Sequence, residues 1–436
     1  MIYTKIRRLA FRLFTLTAAL PLLSSGCSHP FYCSYESPCL ISIHIIDRNG
    51  LTETVSNPDR LKEYACIDFL KNQPYKKVLR VFSRDPCGNT PSTITSYYEN
   101  GQVQKYLEVV NNRAFGSYYE WYDNGTLHLH TNIIGGVADI TMAAENTWLF
   151  DGPAEVWDEC GNILAYINYC KGKLEGESSY YHTSGSLWKK CSFSDGKEEG
   201  IFEIYYKDGS TLQTTQYSNG KRHGQSIRYW NCGSIAAIEE YTCGKLIEGK
   251  YLDRSGTCVS SICNGNGQRA AFSETCLKEL HTYVNGVPDG EVRVLGPDGT
   301  VVKTWLIRDE EKHGVEIEYY PSFLSQKAQP KMEVTWYKGK IHGTMRTWYN
   351  NGYQESQREM TNNIKNGVLT AWYRDGSLML VEEYEDDTLV KGEYYRRGEK
   401  SFASEVEEGN GLAVLYDGEG NFLRKVIYRH GRPYEP

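Results

Sequence analysis

Proline is scarce in this 436-residue chain, at 14 positions, and no cysteine follows Cys276, so the last third has to fold without disulfides. The patterns Gly-x-Ser-x-Gly, His-Glu-x-x-His and the phosphate loop are absent, which removes the familiar hydrolase, zinc-protease and nucleotide-binding signatures. Glycine has no three-residue period, which excludes collagen, and Ala and Leu do not dominate, which argues against a helical bundle. With 40% hydrophobic residues and 24% charged ones the chain is not disordered by composition. What it has in excess is glycine (41) and tyrosine (34, against 13 Phe and 9 Trp), a mixture suited to aromatic strands joined by many turns.

Acid is missing from the first 26 residues, which carry Lys5, Arg7, Arg8 and Arg12. From Cys27 onward 44 bases face 55 acids, so nucleic acid is not an expected partner and anionic membrane surfaces are disfavoured. The apolar stretch Leu13 to Leu23 is 11 residues long, too short for a spanning helix, which takes about 20. A basic start, a short apolar stretch and the small residues Ser24-Ser25-Gly26 predict a signal peptide over 1–26 and hence export. Leu23-Ser24-Ser25-Gly26-Cys27 resembles the bacterial lipobox, departing from it at Ser24, where leucine is usual. That resemblance implies lipid attachment at Cys27 and a membrane-anchored lipoprotein of the cell envelope, on its periplasmic or surface face. Of 13 cysteines, one used on lipid leaves 12 that can pair in an oxidising compartment.

The organising feature is a repeat. Gly152, Gly176, Gly200 and Gly224 are spaced by 24 residues, with further glycines nine residues on (Gly161, Gly185, Gly209, Gly233) and twenty residues on (Gly172, Gly196, Gly220, Gly244). The phase continues through Gly290, Gly299, Gly314, Gly343, Gly352, Gly367 and Gly376, giving about thirteen units between residues 92 and 436. Many units carry an x-Asp/Asn-Gly turn, such as Lys207-Asp208-Gly209, and a Gly-Lys-x-x-Gly turn, such as Gly339 to Gly343. Asn-Gly and Asp-Gly are read as supplying the positive φ angles of a tight hairpin. The expected fold is therefore all-β: an elongated antiparallel meander of 24-residue β-hairpin units, with insertions near 126–151, 250–289 and 321–331.

The run from Gly200 to Gly224, with Tyr205-Tyr206-Lys207-Asp208-Gly209 and Tyr217-Ser218-Asn219-Gly220-Lys221-Arg222-His223-Gly224, resembles the bacterial variant of the MORN repeat. The resemblance covers most of 92–436 and implies single-sheet hairpin stacks used as scaffolds and binding surfaces. Some members of that family are described as antitoxins, a cytoplasmic role that an export signal opposes, so a toxin-neutralising function is the weaker reading. Choline- or glycan-binding hairpin repeats are the second resemblance, but they open with Gly-Trp and lack Gly-Lys-x-x-Gly.

Residues 27–91 follow other rules. Leu40–Ile46 and Lys77–Phe82 read as strands, and Asn57-Pro58 caps a helix through Leu61, Tyr64 and Phe69. A small α+β capping module is expected, which would cover the first open edge of the meander and could be stapled by Cys33, Cys39, Cys66 and Cys87.

No catalytic residue, cofactor or metal centre is expected. His223, His313 and His342 each precede a unit-starting glycine and would sit roughly 9–10 Å apart in successive hairpins, too far for one zinc ion. His128 and His130, at i and i+2 of one strand, come nearest to a metal pair but lack a third ligand. Cys258 and Cys263 form a candidate disulfide. The expected function is a non-catalytic, protein-binding envelope scaffold whose partners are other envelope proteins, with glycan or peptidoglycan binding by the aromatic repeats as the alternative.

Overall fold

Two kinds of turn, alternating along the chain, determine nearly everything else. The computed structural model describes residues 39–321 and 328–434. Among them are 35 strands and two short helices, and every strand pairing is antiparallel, mostly between consecutive strands. The chain divides into two compact units, the second starting at Gly224.

At one strand end the turn is a three-residue loop closed by two backbone bonds: the Tyr349 N–H donates to the Tyr353 carbonyl (2.9 Å) and the Gly352 N–H to the Tyr349 carbonyl (3.0 Å). Here only the glycine is left-handed (Gly352, φ 92°), while the Asn351 carboxamide oxygen accepts the Tyr353 N–H at 3.1 Å. At the other strand end two successive residues have positive φ, as at Asn219 (51°) and Gly220 (78°) or Lys338 (47°) and Gly339 (70°), the type I′ pattern. The sequence expectation is thus corrected in detail. The x-Asp/Asn-Gly turn uses its Asx side chain as a hydrogen-bonding group, and the I′ geometry belongs to the x-Gly pair that opens Gly-Lys-x-x-Gly.

In the first unit, β1 (Leu40–Asp47), β2 (Thr52–Val55), α1 (Pro58–Ala65) and β3 (Tyr75–Phe82) form the N-terminal segment. Asn57 caps α1 by accepting the Asp59 N–H (2.9 Å), with Pro58 in the first turn. The segment is not separated from the array at residue 91. Strand β3 pairs directly with β4 (Pro91–Tyr97), Lys77 opposite Ser96. One core joins Leu61 of α1 and Phe69 to Val78, to Tyr97 of β4 and to Val103 of β5 (Val103–Val110). The helix lies on a sheet face rather than across an edge.

The array continues through β6 (Arg113–Trp121) and β7 (Leu127–Ile133), then a detour with α2 (Met142–Glu145), then β8 (Phe150–Trp157) and β9 (Ile163–Cys170). The detour, anticipated as an insertion over 126–151, is a lid on the main core. Its Ile140 and Trp148 are buried with Leu107, Tyr118 and Leu129, the Trp148 and Tyr118 rings meeting edge-on at 4.8 Å. It is pinned by Lys77 to Asp139 (2.6 Å) and by Lys105 to Glu145.

In the second unit the anticipated 250–289 insertion is ordinary sheet. Strands Cys258–Cys263, Asn266–Phe272 and Leu277–Val284 pair in sequence. The glycine phase is lost there because these hairpins are shorter, not because the chain leaves the fold. Their turns close a triangle of backbone bonds: Leu246 N–H to the Gly286 carbonyl (3.0 Å), Gly286 N–H to Gly265 (2.9 Å) and Gly265 N–H to Ile247 (2.8 Å). The triangle recurs at Leu389, Gly431, Gly409 and Val390 (3.1, 2.8 and 2.9 Å). The third anticipated insertion, 321–331, lies largely outside the described residues.

Candidate binding surfaces

Where an aromatic residue opens a three-residue loop, it stitches that hairpin to a following one in several places. Tyr98 donates its hydroxyl to the Trp121 carbonyl (2.8 Å) and Tyr122 to Trp157 (3.0 Å) in the first unit. In the second unit Tyr320 reaches Trp348 (2.7 Å), Tyr349 reaches Trp372 (2.9 Å) and Tyr373 reaches Tyr395 (2.6 Å). Loop asparagines add a second stitch, Asn124 to the Glu159 carbonyl (3.0 Å) and Asn351 to Arg374 (2.8 Å).

The other strand end has its own ladder. The residue before a unit-starting glycine accepts the N–H of the next I′ turn: Glu175 from Asp195 (2.7 Å), Glu199 from Asn219 (2.8 Å) and Glu248 from Asn264 (2.9 Å). His223, His313 and His342 occupy this same sequence position. The rings of His313 and His342 lie 5.4 and 6.0 Å from the ring of Tyr337.

The glycines named from sequence fall at bends. Gly161, Gly185, Gly209, Gly299, Gly352 and Gly376 are the left-handed residues of three-residue loops, with φ from 80° to 92°. Gly152, Gly176, Gly200, Gly224, Gly290, Gly343 and Gly367 open or kink strands with φ from 75° to 116°.

His128 and His130 go to different carboxylates. His128 Nδ1 lies 3.5 Å from Glu120 and its ring 4.6 Å from Tyr122, whereas His130 Nδ1 lies 3.3 Å from Glu155. Among the described residues no group of three His, Cys, Asp or Glu is placed to hold a metal ion.

Cys258 and Cys263 are both free thiols and stand at opposite ends of a single strand. Five steps of extended chain at about 3.3 Å each separate their Cα atoms by roughly 16 Å, against the about 7 Å a disulfide tolerates. The expected bond between them is therefore excluded in this fold. Cys27 and Cys33 lie outside the described residues; Cys39, Cys66 and Cys87 are free and exposed.

Partly buried rings lie on the sheet face opposite the main core of the first unit: Tyr106, Tyr119, His130 and Trp121, the last also packed against the core around α1. Tyr119 stacks on His130 (4.5 Å, 11° between planes) and on Trp121 (5.6 Å, 21°). Rings stacked on each other turn their faces inward and leave mainly edges to solvent.

Charge in the second unit is buried in three nodes. Glu239 accepts hydrogen bonds from Tyr241 and Tyr251 (2.9 Å each) and from Arg269 (2.7 Å). Glu382, 143 positions later, accepts from Tyr384 (3.0 Å) and Tyr394 (2.8 Å). Glu316 sits between Lys303 and Lys312, at 2.5 Å from each. Burial pushes the Glu316 carboxyl up, but the hydrogen bonds and charges of the two lysines outweigh it and leave it below the ordinary range. Burial, then the Glu239 charge, drives the Tyr251 phenol far above its usual value. Sequence reading missed all three nodes; for two of them the signal was Glu-Glu-Tyr, at 239–241 and 382–384, each with a Gly-x-Tyr downstream.

These features define a hairpin-repeat protein. The MORN repeat variant family matches residues 93–111 and 174–195, and both stretches lie in the first unit's array. No curated protein matches the chain. Among solved structures it is similar to a Photorhabdus luminescens Tc holotoxin pore (10% identity, 88% of this chain and 24% of that one, TM-score 0.15). It is also similar to a porin-like protein from Bacteroides uniformis (10% identity, 60% and 96% covered, TM-score 0.15). The chain spans about a quarter of the length of the toxin chain.

Proposed function

We propose that the protein is an exported, lipid-anchored component of the cell envelope whose hairpin repeats form a non-catalytic scaffold for other envelope proteins. The observation that carries this reading is how the conspicuous side chains are used. Phenols and asparagines stitch hairpins, and buried carboxylates hold tyrosines, arginine and lysines, within MORN-variant repeats. Export and anchoring at Cys27 rest on the N-terminal sequence, whose basic start, short apolar stretch and lipobox-like ending lie outside the described residues.

A glycan platform is less well supported, because a sugar stacks on an exposed ring face and the stacked rings of the first unit are partly buried and lie against each other. Mild cross-linking of intact envelopes, followed by capture of the full chain, should return discrete protein partners. Co-sedimentation with purified wall material that persists after protease treatment of the wall would overturn the protein-scaffold reading in favour of the glycan one. Mass spectrometry of the mature N-terminus should find an acylated Cys27; an unmodified Cys27 or a chain starting at Ser28 would overturn the anchor.

A further inference from the structure

Two loops of the second unit, 143 positions apart, close alike and differ in charge at their tips, Asn231-Cys232 in one and Arg374-Asp375 in the other. Trp230 to Ser234 and Tyr373 to Ser377 each close by an N–H to carbonyl bond of 2.8 Å. Each sends its ring donor to the end of a following strand, Trp230 Nε1 to the Leu252 carbonyl (3.3 Å) and Tyr373 Oη to Tyr395 (2.6 Å). In the loop that follows, Arg254 and Arg397 hold matching seats: Arg254 donates to the Glu274 carbonyl (2.9 Å) and Arg397 to Glu419 (3.1 Å). Arg397 also donates to the carboxylate of Asp375 at 2.7 Å. The residue in the place of Asp375 is Cys232, and Arg254 makes no ion pair among the described residues. Its other hydrogen-bond acceptor is the neutral carboxamide oxygen of Asn231 (3.1 Å), and its guanidinium stands 5.4 Å from the Trp230 ring centre.

Beside that cation opens a recess of about 290 Å³, lined by Phe272 and Leu277 and rimmed by Arg254, Cys276 and Asp253, with the buried Trp230 ring behind it. The Asp253 carboxylate is turned into its own loop, where it accepts from the Ser255 N–H (2.9 Å), the Thr257 N–H (2.9 Å) and the Ser255 hydroxyl (2.6 Å). We propose that this recess binds an aspartate or glutamate side chain of a partner polypeptide, its carboxylate on Arg254 as Asp375 is on Arg397, with an adjacent apolar side chain against Phe272 and Leu277. The planar guanidinium suits a carboxylate better than any neutral group, and an aromatic wall beside an arginine is the composition of interface hot spots. The proposal names the partner chemistry of the scaffold and rests on that reading only for the ligand being a polypeptide.

The test is an NMR titration of the full chain, following the Trp230 indole N–H, with acetyl-Asp-Leu-amide, acetyl-Asn-Leu-amide and propionate. The Asp peptide should shift that signal saturably, and the Asn peptide and propionate should each bind at least about tenfold more weakly. Arg254→Gln should abolish the response. Cys232→Asp should abolish it too, by giving Arg254 the internal carboxylate found in the other loop, while its melting temperature stays at or above the parent value; Cys232→Asn should bind as the parent does. Equal response to the Asp and Asn peptides, full binding by Cys232→Asp, or no response of the parent protein up to roughly 50 mM would overturn the site. Propionate binding as tightly as the Asp peptide would overturn the polypeptide assignment. Cross-linking that returns no partners while the peptide still binds would sink the scaffold and leave the recess standing.

Discussion

Tyr349 donates its phenolic hydroxyl to the main-chain carbonyl of Trp372 at 2.9 Å, so a side chain from one hairpin loop supplies a donor that the next hairpin's backbone lacks. Burial pushes this phenol up to about 12, and it stays a donor at any working pH. Tyr349→Phe keeps the ring and deletes the bond; the expected loss is about 1 kcal/mol, read as a lower urea midpoint with unchanged slope. Tyr353, exposed four residues later at the loop's far side, should tolerate the same change with no measurable shift.

The glycines separate into two classes that one experiment can distinguish. A Cβ on Gly209 (φ 87°) meets nothing within 4 Å, so Gly209→Ala costs only the left-handed backbone, about 1–2 kcal/mol. A Cβ on Gly265 (φ 76°) would lie 2.5 Å from the Gly286 nitrogen, inside the triangle of turns. Gly265→Ala must open that triangle and should cost about 3 kcal/mol or more. Equal losses at the two positions in chemical denaturation would show that the triangle contributes no rigidity of its own.

Glu316 makes stability depend on acid. Its folded pKa lies below the unfolded value, so its contribution is present above the unfolded carboxyl pKa and lost as pH falls through the folded one. Denaturant midpoints measured from pH 7 downward should fall less steeply below about pH 4 in Glu316→Gln than in the parent. At neutral pH the same variant should lose about 1–2 kcal/mol, less than a fully buried pair, because Lys303 and Lys312 each keep about a third of their side chains exposed.

The repeat was legible because its period is written in glycine, and glycine marks backbone angles that other residues avoid. The strand and helix assignments around Leu40 and Asn57 were legible for similar local reasons. What sequence concealed is long-range. That Trp148 turns back to cover Tyr118 depends on a detour whose route no local pattern encodes. That Cys258 and Cys263 point away from each other follows from extended backbone between them, whereas their spacing alone suits a bond. Glu239 and Glu382 read as two more surface acids until the sheet brings two tyrosines to each. Arg254 became conspicuous only beside Arg397, when matching loops showed which of the two lacks its carboxylate.

The two Glu-Tyr-Tyr nodes should fail differently when neutralised. Glu239 is buried with Arg269, whose pKa burial lowers and Glu239 raises by more. Glu239→Gln leaves that guanidinium without its counter-ion and should cost about 2–3 kcal/mol, below the usual figure for breaking a buried pair because a quarter of the Arg269 side chain reaches solvent. Glu382 has no lysine or arginine within 4 Å among the described residues, and its two tyrosine donors can be met by a carboxamide oxygen. Glu382→Gln should therefore cost about 1 kcal/mol or less. A double-mutant cycle of Glu239→Gln with Arg269→Met should show a coupling of about 1–3 kcal/mol. A coupling near zero would mean that the tyrosines, rather than the ion pair, hold the first node, and the two nodes would then be equivalent.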